Sequence, residues 1–215
     1  MKYRLLVFDW DGTIIDSSST IAECIQEASR EMNLGVPSHA QASHVIGLGL
    51  RDALTTAVPD LQAERYPEFV ALYRKHFLVR KDSMRLFEGM RELLEQLSKT
   101  HLLAIATGKS RRGLDNDLAH HRLGARFAAS RCADETNPKP HPAMLQELMG
   151  ELNVLESETL MIGDTSHDLE MARAAGVEAL AVTYGAHPED GLRACAPLGC
   201  FSSVTRLDEW LRTNG

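Results

Sequence analysis

Four short, uninterrupted apolar runs constrain this chain more than any other feature: Leu5-Leu6-Val7-Phe8, Leu102 to Ala106, Thr159 to Ile162 and Ala179 to Val182. A strand with one wet face alternates apolar and polar residues, so continuous runs mark strands buried on both faces. Helix-period sequence flanks them. Met90 to Leu97 is amphipathic, Pro142 to Leu152 opens on a helix-starting proline, and Asp168 to Ala175 stops at Gly176. Strands alternating with helices predict βαβ units with right-handed crossovers, hence an α/β fold around a parallel sheet. The tail, Phe201 to Gly215, is expected to add a short edge strand and a last helix.

One gap breaks the alternation. The first two runs lie about 90 residues apart, far beyond a simple crossover connection. Ser17 to Asn33 reads as a helix with serines to cap it and Gly35-Val36-Pro37 to end it. Gln41 to Ala57 and Glu64 to Leu78 are also helical in pattern, interrupted by Gly47-Leu48-Gly49 and Pro59. We therefore expect a helical domain over residues 16–84, inserted into a core formed by residues 1–15 and 85–215. Met84 to Gly89 is the expected return linker.

Composition removes several classes of function. The net charge is −7, and no stripe of Lys and Arg interleaves with aromatics, which argues against nucleic acid as a partner. No window approaches the roughly 18 apolar residues of a membrane span. The four cysteines are irregularly spaced without a C-x-x-C pair, which fits neither a disulfide framework nor a zinc site. The opening apolar run is too short for a signal-peptide core and soon meets Asp9 and Asp11, so the expected location is the cytoplasm.

The ends of the strands carry the chemistry. Asp9 and Asp11 stand two apart after the first run, so both carboxylates can reach one spot. Crowded carboxylates do not ionise together easily, which suits a nucleophile paired with an acid/base, although Asp-Gly-Thr is also ordinary turn chemistry. Thr107-Gly108-Lys109-Ser110 follows the second run: a hydroxyl and free amides at a helix start favour phosphate. The same residues equally fit a strand end and a helix cap. Asn137-Pro138-Lys139-Pro140-His141-Pro142 is a stiff loop able to aim one lysine, or simply a helix entry. Asp164 continues the third run, and Asp168 follows four residues later at a helix start, where the helix dipole favours an acid and it could be only a cap. Ligands of open α/β sheets bind at the carboxyl edge of the strands, so Asp9, Thr107 and Asp164 converge by topology. Asp9 and Asp164 make a hard oxygen site suited to Mg2+.

FDWDGTIIDS, ATGKS, NPKPHP and GDTSHDLEMARAAG, in that order over residues ~5–176, resemble the four motifs of the haloacid dehalogenase superfamily, most closely its phosphoglycolate phosphatase-like members. The resemblance implies a Rossmann-like core with a helical cap domain inserted after the first strand. It implies a Mg2+-dependent phosphatase acting on a small phosphate monoester, phosphoglycolate-like or a sugar phosphate, through an aspartyl-phosphate. Asp9 would be nucleophile and metal ligand, and Asp11 the acid/base that lends its backbone carbonyl to the metal. Thr107 and Gly108 would bind phosphate with Lys139, which neutralises charge; Asp164 would hold the metal and Asp168 support it. Trp10 departs from the usual Leu or Met and is expected to pack or to line the site. A metal-free haloacid dehalogenase would need no second aspartate, whereas a phosphosugar mutase of the same fold stays open. The partner implied is a small phosphate ester, with no nucleic acid or membrane, and the chain is a monomer or homodimer. Beside the glycine-flanked loop 47–50, Arg51 is a candidate reader of a substrate anion or an ordinary exposed arginine. Arg111-Arg112 is expected to be a solvated face, and His167 to face solvent or cap a helix.

Overall fold

The computed structural model describes residues 2–214, the side chain of residue 82 apart. The chain runs β1 (Leu5–Phe8), α1 (Ser18–Glu31), α2 (His39–His44), α3 (Leu50–Ala57), α4 (Tyr66–Arg80), α5 (Met90–Leu97), β2 (Leu102–Thr107) and α6 (Arg111–His121). It continues through β3 (Ala129–Cys132), α7 (Ala143–Leu152), β4 (Thr159–Gly163), α8 (Ser166–Ala174), β5 (Glu178–Val182), α9 (Glu189–Ala194), β6 (Gly199–Phe201) and α10 (Val204–Asn214). Six strands form one parallel sheet in the order β3-β2-β1-β4-β5-β6. This is the α/β, Rossmann-like architecture that the apolar runs predict.

The runs are continuous because both faces of the sheet are covered. On β1, Leu6 and Phe8 pack with Leu93, Leu94 and Leu207, while Leu5 and Val7 pack with Met144, Leu145 and Leu169. β1 is flanked by β2 on one side and β4 on the other, which makes its carboxyl end the point where strand order reverses. Phe8 is in register with both Ile105 and Ile162, so Asp9 follows level with Ala106 and Gly163, and Thr107 and Asp164 come one residue later on the neighbouring strands.

Between β1 and β2 the segment is helical, and no strand is assigned among its described residues. It has its own apolar cluster, including Ile25, Leu54 and the fully buried Phe69. The chain leaves and re-enters the sheet side by side: the Asp16 amide donates to the Arg85 carbonyl at 2.9 Å and the Phe87 amide to Ile14 at 3.1 Å.

Two elements escaped the sequence reading. β3 is an edge strand in which Ser130 and Arg131 interrupt the apolar run, and its first three residues are only half-buried. α9 is a six-residue helix with Leu192 as its only buried residue, so it has no apolar stripe to detect.

Phe69→Ala is expected to destabilise the helical segment by about 3–5 kcal/mol. Both tryptophans, Trp10 and Trp210, belong to the sheet's core. Urea unfolding of the variant should therefore show the far-UV dichroism transition moving ahead of the tryptophan fluorescence transition. Coincident transitions would mean that the two cores melt as one.

Candidate active site

Three buried carboxylates converge at the carboxyl edge of the sheet. Asp9 follows β1, Asp164 follows β4, and Asp168 lies in the first turn of α8. Each is at most 1 % exposed, and one oxygen from each lies within 4.8 Å of the others. Lys139, itself buried, donates from Nζ to Asp9 Oδ1 at 2.6 Å and lies 2.5 Å from Asp168 Oδ1. The other Asp168 oxygen accepts from the Thr165 amide (3.1 Å) and hydroxyl (2.7 Å), a reciprocal cap that fixes the helix start. Asp164 accepts from the Thr13 hydroxyl at 2.9 Å and from the Ala186 amide at 2.7 Å.

Two features make this cluster fit a hard cation. Three carboxylates face one ammonium, which leaves two negative charges without a counter-ion in a buried place. Asp9 Oδ2, in addition, is a buried oxygen with no hydrogen-bond partner. An all-oxygen donor set selects Mg2+-like ions over soft metals. Without a cation the electrostatics are unfavourable. Burial pushes the Asp9 carboxyl up to about 7, with Lys139 opposing and Asp168 adding to the rise. Burial, then Asp9 and Asp168, hold Asp164 well above the usual carboxylate range despite its two donors. Burial disfavours the charged Lys139, yet Asp168 and Asp9 together hold it above the ordinary lysine value.

Gly12 is required where it stands. Its φ is +86°, and a Cβ would collide with the Asp164 carboxylate. That tight turn lets the chain after Asp11 pass directly beside the carboxylates.

Asp11 faces a cavity of about 560 Å3, which Asp9, Thr107 and Gly108 also line. Ser17 donates to Asp11 Oδ1 at 2.8 Å, and Lys109 Nζ lies 3.0 Å from both Asp11 oxygens. Lys109 was not singled out from the sequence, although it directly follows Thr107-Gly108. It also contacts Asp117 at 3.3 Å, and Asp117 accepts from the Trp10 indole at 3.0 Å. Trp10 is thus a buried anchor beneath the site and does not line the cavity.

The helical segment forms the other side of the cavity. Its loop 45–49 lies against the core: a Cβ on Gly108 would strike the carbonyls of Gly47 and Leu48, and Gly49 packs near Pro138. His167 and His187 both bond the His44 carbonyl at 3.0 Å, so His167 ties this loop down instead of facing solvent or capping a helix. Arg51 does not line the cavity. Its guanidinium lies 4.4 Å from the centre of the Tyr66 ring, where a cation–π contact holds it on the surface of the helical segment. Arg112, expected on a solvated face, does line the cavity, together with Arg74 and Lys81. Arg111 instead pairs with Glu135 at 2.7 Å and with Asp115 at 3.3 Å. Among the described residues, no helix is long and apolar enough to cross a membrane.

Residues 6–182 match the family model described as Haloacid dehalogenase-like hydrolase. The pyrophosphatase PpaX of Halalkalibacterium halodurans is 32% identical over 200 residues, covering 92% of this chain and 91% of its own. A phosphoglycolate phosphatase of Aliivibrio fischeri is 29% identical over 192 residues, covering 85% of each. The solved structure of a hydrolase from Pseudomonas syringae shares the fold with a TM-score of 0.89 over 99% of each chain, at 20% identity.

The raised Asp9 value has a consequence for stability. Its folded pKa, about 7, exceeds the unfolded value of 3.8, so this group favours folding below about 4 and loses that contribution as pH rises through 7. In EDTA, Asp9→Asn should therefore melt at a higher temperature than the parent at pH 8, with the gap closing by pH 4. A gap that does not change with pH would show that Asp9 carries no such burden.

Proposed function

The chain belongs to the haloacid dehalogenase-like hydrolase family, and from that premise we propose that it is a Mg2+-dependent phosphatase of small phosphate monoesters. The observation that carries this reading is Asp9: one oxygen is fixed by Lys139, while the other is buried, unpartnered and beside a cavity. An unpaired carboxylate oxygen held in place is a nucleophile already relieved of solvent.

Asp9 attacks phosphorus, the bond from phosphorus to the ester oxygen breaks, and an aspartyl-phosphate forms. Thr107 and the amides around Gly108 bind the phosphoryl oxygens, and Lys139 balances the charge on Asp9. Asp11 gives its proton to the departing alkoxide and then takes one from water, whose oxygen attacks phosphorus and restores Asp9. Lys109 and Ser17 orient Asp11 through their contacts to its carboxylate. Asp9, Asp164 and the Asp11 carbonyl, with Asp168 in support, would hold Mg2+, which would supply positive charge to stabilise the phosphoryl group. Residues 16–84 act as a cap domain over the core formed by 1–15 and 85–215, and loop 45–49 covers the reacting edge. The relatives named for pyrophosphate and for phosphoglycolate hydrolysis support the phosphatase chemistry, and they differ in what the phosphate is attached to.

Excess EDTA should abolish phosphate release, and Mg2+ should restore it. Asp9→Asn should be inactive on every ester. Asp11→Asn should give a burst of about one p-nitrophenolate per enzyme from p-nitrophenyl phosphate, because the first step tolerates a good leaving group and the second lacks its base. Phosphoryl label trapped on any residue other than Asp9 would overturn the assignment.

A further inference from the structure

The cavity that meets Asp9 is built of two unlike parts. Toward the helical segment its wall is apolar, with Ile21, Ile25, Leu50, Leu54, Phe77 and Leu78. Among the described residues of that segment only Tyr73, Arg74 and Lys81 bring polar side chains to the lining. Buried hydroxyls need partners, and a sugar would strand several against such a wall. A two-carbon acid would leave most of the roughly 560 Å3 filled by water against hydrocarbon.

The charges along the lining are unevenly committed. Asp11 and Asp117 are held by Lys109, and Asp134 accepts from the Arg111 amide at 2.8 Å. Arg74, Lys81 and Arg112, by contrast, form no salt bridge among the described residues. All three are exposed along the lining, so their positive charge is free to meet an anion on a protein whose net charge is −7.

We propose that the natural substrate is a phosphate monoester whose alcohol has a ring-sized apolar body and a second anionic group, a carboxylate or another phosphate, remote from the ester. The inference rests on the phosphatase reading above. The apolar body lies against Ile21, Leu54 and Phe77, the reacting phosphate meets Asp9, and the remote anion meets Arg74, Lys81 and Arg112.

The test is kcat/KM with Mg2+ for ethyl phosphate, benzyl phosphate and 4-carboxybenzyl phosphate, whose leaving alcohols have similar acidity, beside phosphoglycolate and glucose 6-phosphate. We expect a rise of about tenfold or more from ethyl to benzyl, and about tenfold again from benzyl to 4-carboxybenzyl. Arg112→Gln and Lys81→Gln should each lower the ratio of 4-carboxybenzyl to benzyl kcat/KM several-fold. Leu78→Gln, at a position 58 % exposed and so tolerant of the change, should lower the ratio of benzyl to ethyl. A flat series, a preference for phosphoglycolate or glucose 6-phosphate, or charge variants that leave the ratio unchanged would overturn the proposal while the phosphatase reading stands. If Mg2+ supports phosphate release from none of the five esters, the phosphatase reading itself fails.

Discussion

The buried charge at the carboxyl end of β1 is the constraint from which the rest of the site follows. Carboxylates as deeply buried as Asp9, Asp164 and Asp168 would be untenable in an ordinary protein interior. Lys139 neutralises part of the charge, and donors from Thr13, Thr165 and Ala186 fix the remaining oxygens. What is left over is negative charge and one unpartnered oxygen on Asp9. A site with this residue is poised for a cation and an electrophile, because both relieve what the fold leaves uncompensated. Glycine at position 12, the stiff loop around Lys139 and the capped start of α8 are local devices that keep these groups crowded.

Topology does the assembling. Asp9, Thr107 and Asp164 are far apart in sequence, yet each is the first or last polar residue at the end of a buried strand. With β1, β2 and β4 adjacent and in register, no special loop geometry is needed to bring them together. Lys139 arrives from the connection between β3 and α7, the only one of these groups whose approach depends on loop stiffness.

This explains how much could be read before the structure. Strand ends are legible because burial on both faces writes continuous apolar runs, and parallel topology then fixes which ends coincide. Asp9, Thr107 and Asp164 lie at such positions, whereas Lys139 was legible from its proline-stiffened loop and Asp168 from the helix start that follows β4. β3 and α9 were not legible, since a half-buried edge strand interrupted by Ser130 and Arg131 and a six-residue helix leave little apolar pattern. Lys109 and Trp10 illustrate a different limit. Their roles come from contacts to Asp11 and Asp117, across 98 and 107 residues of sequence, and nothing periodic announces such pairs. Arg51, open between two readings in the sequence, is an exposed arginine, and Arg112 is exposed as expected but also lines the cavity, because a helix's cavity-facing side depends on how the whole segment docks.

That docking is itself held by polar contacts at the edge where the chemistry lies. Loop 45–49 touches Gly108 backbone to backbone, and the His44 carbonyl accepts from both His167 and His187. His187 accepts the Ser166 amide on Nδ1 at 3.1 Å, so the proton it gives to His44 must be on Nε2. Burial pushes His187 down to about 4, which keeps the ring neutral near pH 7 and preserves both of its roles. The same histidines join loop 45–49 to the start of α8, because His167 lies in its first turn and His187 accepts the Ser166 amide. The apolar wall comes from α1, α3 and α4 and the carboxylates from the sheet, so the wall can vary without disturbing the charged edge. That division would let the helices set selectivity while the strand ends keep the reactive groups.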